Sequence, residues 1–103
     1  MKVIRSSEFK ADRPWGAVDI ASMNGITTRL HWTNRPYKWH VNSGAEVFVV
    51  LGGTVHMFYI EQGVENVVVL NVGDIFFAST GTKHVAHPIG EARILVIEEE
   101  GSI

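Results

Sequence analysis

Residues that break helices recur so often in this chain that the apolar runs between them are strand-sized. Turn signals fall at Asn24-Gly25, at Asn34-Arg35-Pro36, at Gly52-Gly53, at Gln62-Gly63, at Val72-Gly73-Asp74 and at Ser79-Thr80-Gly81. Between them lie "WGAVDIA", "ITTRLHWT", "EVFVVL", "TVHMFYI", "NVVVL" and "IFFA", and "ARILVIEEE" follows towards the end of the chain. These runs are rich in Val, Ile, Phe and Thr, which suit a pleated, half-buried surface, and they lack helical periodicity. Close, even turn spacing in a small chain predicts an all-β antiparallel sandwich or barrel, with each run a separate strand. The runs "EVFVVL" and "NVVVL" are nearly continuous in apolar character. They are expected to be covered on both faces, by a second sheet or by a partner subunit.

At 103 residues the chain is expected to form a single domain, 1–103, with a core that needs no covalent staple. It contains no cysteine, which excludes disulfides and thiolate metal sites and fits a cytoplasmic protein. The first residues, "MKVIRSSEFKADRPWG", are mixed and charged and do not resemble a signal peptide, and no stretch is apolar enough to cross a membrane. The net charge is −2 with histidines neutral. Basic residues are scattered, with Arg35 and Lys38 near Tyr37 and Trp39, so no nucleic-acid partner is expected. Glu98, Glu99 and Glu100 read as a solvated tail.

The chemistry-bearing residues cluster in "WHVNSGAEVFVVLGG" and "GDIFFASTGTKHVAHP". His40, Asn42 and Glu46 share even parity, so an extended chain turns them to one face. His84, brought alongside on a neighbouring strand, completes a set of two imidazoles and one carboxylate. Such a set holds a divalent metal and leaves positions open for water or substrate, and it suits Fe, Mn, Ni, Cu or Zn. Asn42 offers a neutral amide oxygen, which suits harder ions such as Mg, Ca or Mn, or a hydrogen bond to a ligand. His87, three residues beyond His84, is expected on the opposite face. His56 is expected to face outward. His31 is opposite in parity to Leu30 and Trp32 and would enter the barrel if that face is inside. Trp39, Phe48, Tyr59, Phe76 and Phe77 are expected as core aromatics, some lining a cavity.

In spacing these two stretches resemble the paired motifs of the cupins. The first cupin motif, G-x5-H-x-H-x3 or x4-E-x6-G, is matched by Asn34, His40, Asn42, Glu46 and Gly53. The second, G-x5-P-x-G-x2-H-x3-N, is matched by Gly73, Ser79, Gly81, His84 and Pro88. Three departures fall at turn positions: Asn34 for Gly, Ser79 for Pro and Pro88 for Asn. One bears on chemistry, because Asn42 stands where the family has its second histidine ligand. The resemblance, to the small single-domain proteins of the cupin 2 conserved barrel family, implies a jelly-roll-like antiparallel β-barrel and a homodimer. It implies a divalent metal (Zn, Ni, Mn or Fe) held by His40, Glu46 and His84, with Asn42 as a fourth, weak ligand or a hydrogen-bond donor to substrate. It also implies a small polar molecule as substrate or ligand, in an isomerase-like or dioxygenase-like metalloenzyme. The alternative is a non-catalytic small-molecule binder without a functional metal.

Overall fold

The structure is a computed structural model and describes residues 1–102. After a 3-10 turn at Ser6–Glu8, seven strands follow: β1 (Gly16–Met23), β2 (Ile26–Thr33), β3 (His40–Val41), β4 (Glu46–Glu61), β5 (Val64–Leu70), β6 (Ile75–Ala78) and β7 (Lys83–Glu99). Every strand pairing is antiparallel. The path runs β1-β2-β7-β4-β5, with β3 added to β7 and β6 added to β4. β1 and β2 are joined by Asn24 (φ 53°) and Gly25 (φ 78°), the positive-φ pair that matches the twist of a two-residue hairpin. No α-helix occurs among the described residues, and none therefore is long and apolar enough to cross a membrane.

Two long strands organise the fold. Residues 46–50 of β4 pair with 94–98 of β7, and 54–60 of β4 pair with 83–89 of β7, with register shifts around Gly52. The expected turn at Gly52-Gly53 is therefore corrected: the chain passes through as one strand containing a bulge. A bulge bends a strand without ending it, so each long strand serves both halves of the barrel. Phe48, Val50, Ile94 and Val96 come from one half, and Val55, Met57, Leu70 and Ala86 from the other, yet all belong to one core cluster. The halves therefore pack face to face as a jelly-roll-like barrel. Val50, Val55 and Ile94 are fully buried, each contributing roughly 1.5–3 kcal/mol of transfer free energy.

The outer face is less covered than the apolar runs suggest. β5 buries Leu70 but leaves Val67 and Val69 about half exposed, so cover on both faces is not supplied within the chain. Phe77 (62 % exposed) and Trp39 (38 %) are not core residues, whereas Phe48 is and Phe76 packs against the core cluster. The N-terminal segment covers part of the outside. Arg93 Nε donates to the Phe9 carbonyl at 2.7 Å, and the Lys10 ammonium lies 5.5 Å from the centroid of the buried Trp32 ring.

Candidate metal centre

The site begins with a cross-strand pair. β3 is only two residues long, and its pairing with β7 sets His40 opposite His84, with ring centroids 4.3 Å apart. The approach to β3 is tied down where Tyr37 N donates to the Ala86 carbonyl at 3.1 Å. Glu46 opens β4. One nitrogen of His40, one of His84 and one oxygen of Glu46 lie within 4.8 Å of one another. Donor atoms about 2.1 Å from a shared tetrahedral ion lie about 3.4 Å apart; His84 Nε2 and Glu46 Oε1, at 3.2 Å, already match that spacing, and a pair at the 4.8 Å limit would close by about 1.4 Å.

Each histidine is pinned from behind. His40 Nδ1 faces the Lys38 carbonyl at 3.0 Å, and His84 Nδ1 faces the Thr82 carbonyl at 2.9 Å. A carbonyl only accepts, so Nδ1 carries the proton in both rings and Nε2 is left for the site. Backbone or carboxylate anchoring of the far nitrogen is the usual support of a metal-binding imidazole. The Ser79–Thr82 turn that presents the Thr82 carbonyl is closed by Thr82 N donating to Ser79 O at 3.0 Å.

Asn42 is buried beside the cluster and donates from Nδ2 to Glu46 Oε2 at 2.7 Å and, at 3.4 Å, to Glu98 Oε2. Carboxylate oxygens accept, so the amide nitrogen must face them. Asn42 Oδ1 is left buried and without a partner. The structure thus places Asn42 against the carboxylate of Glu46.

Charge is shared tightly here. Burial pushes Glu46 up, but hydrogen bonds from His84, Glu98 and Asn42 outweigh it and hold the carboxyl at about 2. Glu98 is pushed up to about 8 by burial, by its hydrogen bond to Glu46 and by the charge of Glu46. The two carboxyls share one proton, which resides on Glu98. Burial also pushes His84 down, but its contacts with Glu46 and Thr82 reverse the sign and raise it. His84 Nε2 lies 3.2 Å from Glu46 Oε1, so a second proton on this ring takes the place where a cation would sit.

A pH dependence follows for chelator-treated protein. Glu98 and His84 bind protons more tightly when folded, so their contributions are complete below about 4.5 and 6.5 and are lost as pH rises through their raised values. Glu46 acts oppositely, its contribution lost only as pH falls from 4.5 towards 2. His31 and His40, held below the usual range chiefly by burial, act in the opposite sense, so the Glu98 part is read by difference: Glu98→Gln is expected to lower the urea midpoint relative to wild type more at about pH 5.5 than at about pH 8.5. An equal loss at both pH values would contradict the shared proton.

Glu98 corrects the expectation of a solvated acidic tail, which holds only for Glu99 and Glu100. The signal was in the alternation: Ala92, Ile94 and Val96 are buried on β7, and Glu98 continues their parity. His31 does enter the barrel and lines the cavity but stands outside the three-residue cluster. His87 lies opposite His56 and packs on Phe58 with centroids 4.8 Å apart, away from the site as expected. Asn34, at the glycine position that opens the first motif, is exposed and has no left-handed backbone.

The cluster opens into a cavity of about 230 Å³ whose further walls include Trp15, Arg29, His31, Tyr37, Phe48 and Glu98. Spacing did not point to Trp15 or Arg29, which belong to neither motif. Trp15 has φ 61°, an uncommon backbone state for a bulky residue. It is held by Nε1 donating to the Arg35 carbonyl at 2.9 Å and by the buried Gly16, whose missing Cβ makes room for Ala11.

A jelly-roll barrel with two histidines and a glutamate converging beside an internal cavity defines the class. The fold is that of the cupins, in line with what its paired motifs imply. It superposes on a cupin-2 domain protein from Shewanella frigidimarina NCIMB 400 with a TM-score of 0.77 and 26 % identity, over 91 % of this chain and 87 % of that one. A cupin superfamily protein from Desulfitobacterium hafniense DCB-2 gives a TM-score of 0.73 at 15 % identity, covering 91 % and 85 %. A hydroquinone 1,2-dioxygenase solved with Cd2+ and 4-hydroxybenzonitrile gives 0.74 at 14 %, covering 87 % and 67 %. The last two show likeness of fold alone. No protein-family model matches the sequence, and no curated protein matches it.

Proposed function

We propose that the protein binds one divalent metal ion through His40, Glu46 and His84 and acts on a small polar molecule in the adjoining cavity. The observation that carries this is the pair of pinned imidazoles, both anchored at Nδ1 by backbone carbonyls and both offering Nε2 beside Glu46. Two imidazoles and one carboxylate suit Fe, Mn, Ni or Zn. Such an ion supplies Lewis acidity towards an oxygen atom of the bound molecule, as isomerisation or oxygenation would require. Asn42 orients Glu46 through its amide nitrogen. Glu98 holds a proton on its carboxyl at the cavity wall. Trp15, Tyr37 and Phe48 exclude water from one side. The Cd2+ bound in the dioxygenase of the same fold agrees with this reading.

A metal-free small-molecule binder is the second reading. It is favoured by the way the protonated His84 and Glu46 satisfy each other at 3.2 Å. Thermal shift separates the two. An ion present at one hundred times its Kd adds about 2.7 kcal/mol, which for a domain of this size raises Tm by roughly 10–20 °C. Chelator-treated protein is expected to gain this with Zn, Ni, Mn or Fe(II). No shift with any of them would favour the metal-free binder.

The proposal includes a cytoplasmic homodimer. Val47 pairs with Phe77 and Ile97, and Val49 pairs with Ile75 and Leu95, so these side chains share one outer face of the sheet. Ile75 and Phe77 are 65 % and 62 % exposed there. A contiguous apolar face of this kind suits a second copy related by a two-fold axis. Light scattering is expected to give about twice the chain mass of 11.4 kDa, and Phe77→Glu to give the monomer. A monomeric wild type would contradict this part.

A further inference from the structure

One wall of the cavity carries nitrogen groups that the metal site does not use. Arg29 and His31 are two residues apart on β2 and project from one face. Arg29 Nε donates to Asp19 Oδ1 at 2.7 Å, across the register pair that joins these residues. This contact orients the guanidinium but occupies one of its five N–H donors, and its side chain makes no other hydrogen bond among the described residues. His31 Nδ1 is buried with no partner. Burial and the neighbouring Arg29 hold the ring below the usual imidazole range against a backbone hydrogen bond at Trp15, so a neutral His31 has its unpartnered Nδ1 to offer, as a donor in the Nδ1–H tautomer.

Other walls are flat and apolar. Trp15 meets Tyr37 edge-on at 5.2 Å and His31 at 6.0 Å, and Phe48 lines the same space. The volume is about 230 Å³. An apolar cavity of about 150 Å³ already accepts benzene, so a single ring with a small substituent fits.

Charge selects the substituent. Arg29 is the one arginine or lysine on the cavity wall among the described residues, and Glu46 and Glu98 line the same space. Apart from the metal ligands, one guanidinium is on hand, and it meets one anionic group of a ligand. A planar carboxylate matches the paired N–H groups of a guanidinium edge.

We propose that the cavity takes a small monocarboxylate with a flat apolar body, its carboxylate on Arg29 and His31 and its body against Trp15, Tyr37 and Phe48. The inference rests on the proposed function in setting the rest of that molecule beside the metal ligands.

The test is calorimetric titration of the metal-loaded protein with benzoate, with benzamide as its uncharged counterpart, and with inorganic phosphate. Benzoate is expected to bind saturably, and benzamide about tenfold or more weakly, the range of a lost charge-assisted hydrogen bond. Arg29→Gln is expected to weaken benzoate about tenfold and leave benzamide unchanged, and Arg29→Lys to restore part of the loss. Arg29 and Asp19 are both substantially exposed, so the variants are expected to fold, and an unchanged melting curve checks this. No benzoate binding, equal binding of benzoate and benzamide, wild-type affinity in Arg29→Gln, or tighter binding of phosphate than of benzoate would each overturn the proposal. Metal content of the same samples separates the two readings. Stoichiometric metal without benzoate binding overturns this inference alone. Arg29-dependent benzoate binding in protein that retains no metal supports it while overturning the metal reading.

Discussion

Gly53→Ala is expected to be among the most destabilising single-methyl changes in this protein. Gly53 has φ +76° in the bulge of β4, and a Cβ there would run into the Glu91 carbonyl oxygen and lie 3.1 Å from Ala92 Cα. The left-handed backbone costs a non-glycine residue about 1–2 kcal/mol, and overpacking against backbone adds about 1–3 kcal/mol. The expected loss of about 2–5 kcal/mol is a large part of a typical domain's stability of about 5–15 kcal/mol. Gly25→Ala is the comparison. Its φ is +78°, but no atom lies within 4 Å of the added methyl, so the backbone term alone applies. Urea unfolding of the two variants measures the difference. Equal midpoints would show that the bend between the two halves of β4 does not depend on the close approach to β7.

Gly53 also shows what could be learned before the structure. Its place at the end of the first motif marked it as a required glycine. Its neighbour Gly52, and the turn-like pair they form, predicted a strand end. A bulge and a turn use the same residue types and differ only in whether the chain continues its pairing, which a local pattern does not record. β2 and β6 were legible with their boundaries because their turns end them cleanly.

The cluster was legible for a related reason. His40, Glu46 and His84 come from two motifs whose spacing is set by strand parity, and parity survives the short Ser43-Gly44-Ala45 connection. Glu98 was not, because composition and alternation pointed in opposite directions. Three successive glutamates suggest solvent, whereas the parity of Ala92, Ile94 and Val96 runs into the core. Parity won because β7 stays paired with β4 and β2 through residue 98. Phe77 was misplaced for the opposite reason. Its aromatic side chain argued for burial, but strand alternation turns it out beside Val47, where only a second molecule could cover it. Arg29 and Trp15 gained their place in the cavity wall from the β1–β2 hairpin, a long-range arrangement outside either motif.

The measurement that bears most directly on the metal centre is elemental mass spectrometry of protein purified without tag or chelator. It is set beside His84→Ala and a His87→Ala control. His84 Nε2 is 3.2 Å from Glu46, and the residue is buried and pinned by Thr82, so its truncation removes one of the three clustered donors. His87 offers the same chemistry on the opposite face of β7. Wild type and His87→Ala are expected to hold close to one equivalent of Fe, Mn, Ni or Zn. Loss of an anchoring group alone lowers metal affinity about 10–100-fold, and loss of a ligand is expected to cost more. His84→Ala should therefore retain less than about a tenth of the wild-type metal while keeping its β-sheet circular dichroism. Wild-type protein that takes up none of these metals after reconstitution, or His84→Ala protein that keeps its full complement, would contradict the assignment of the centre to His40, Glu46 and His84.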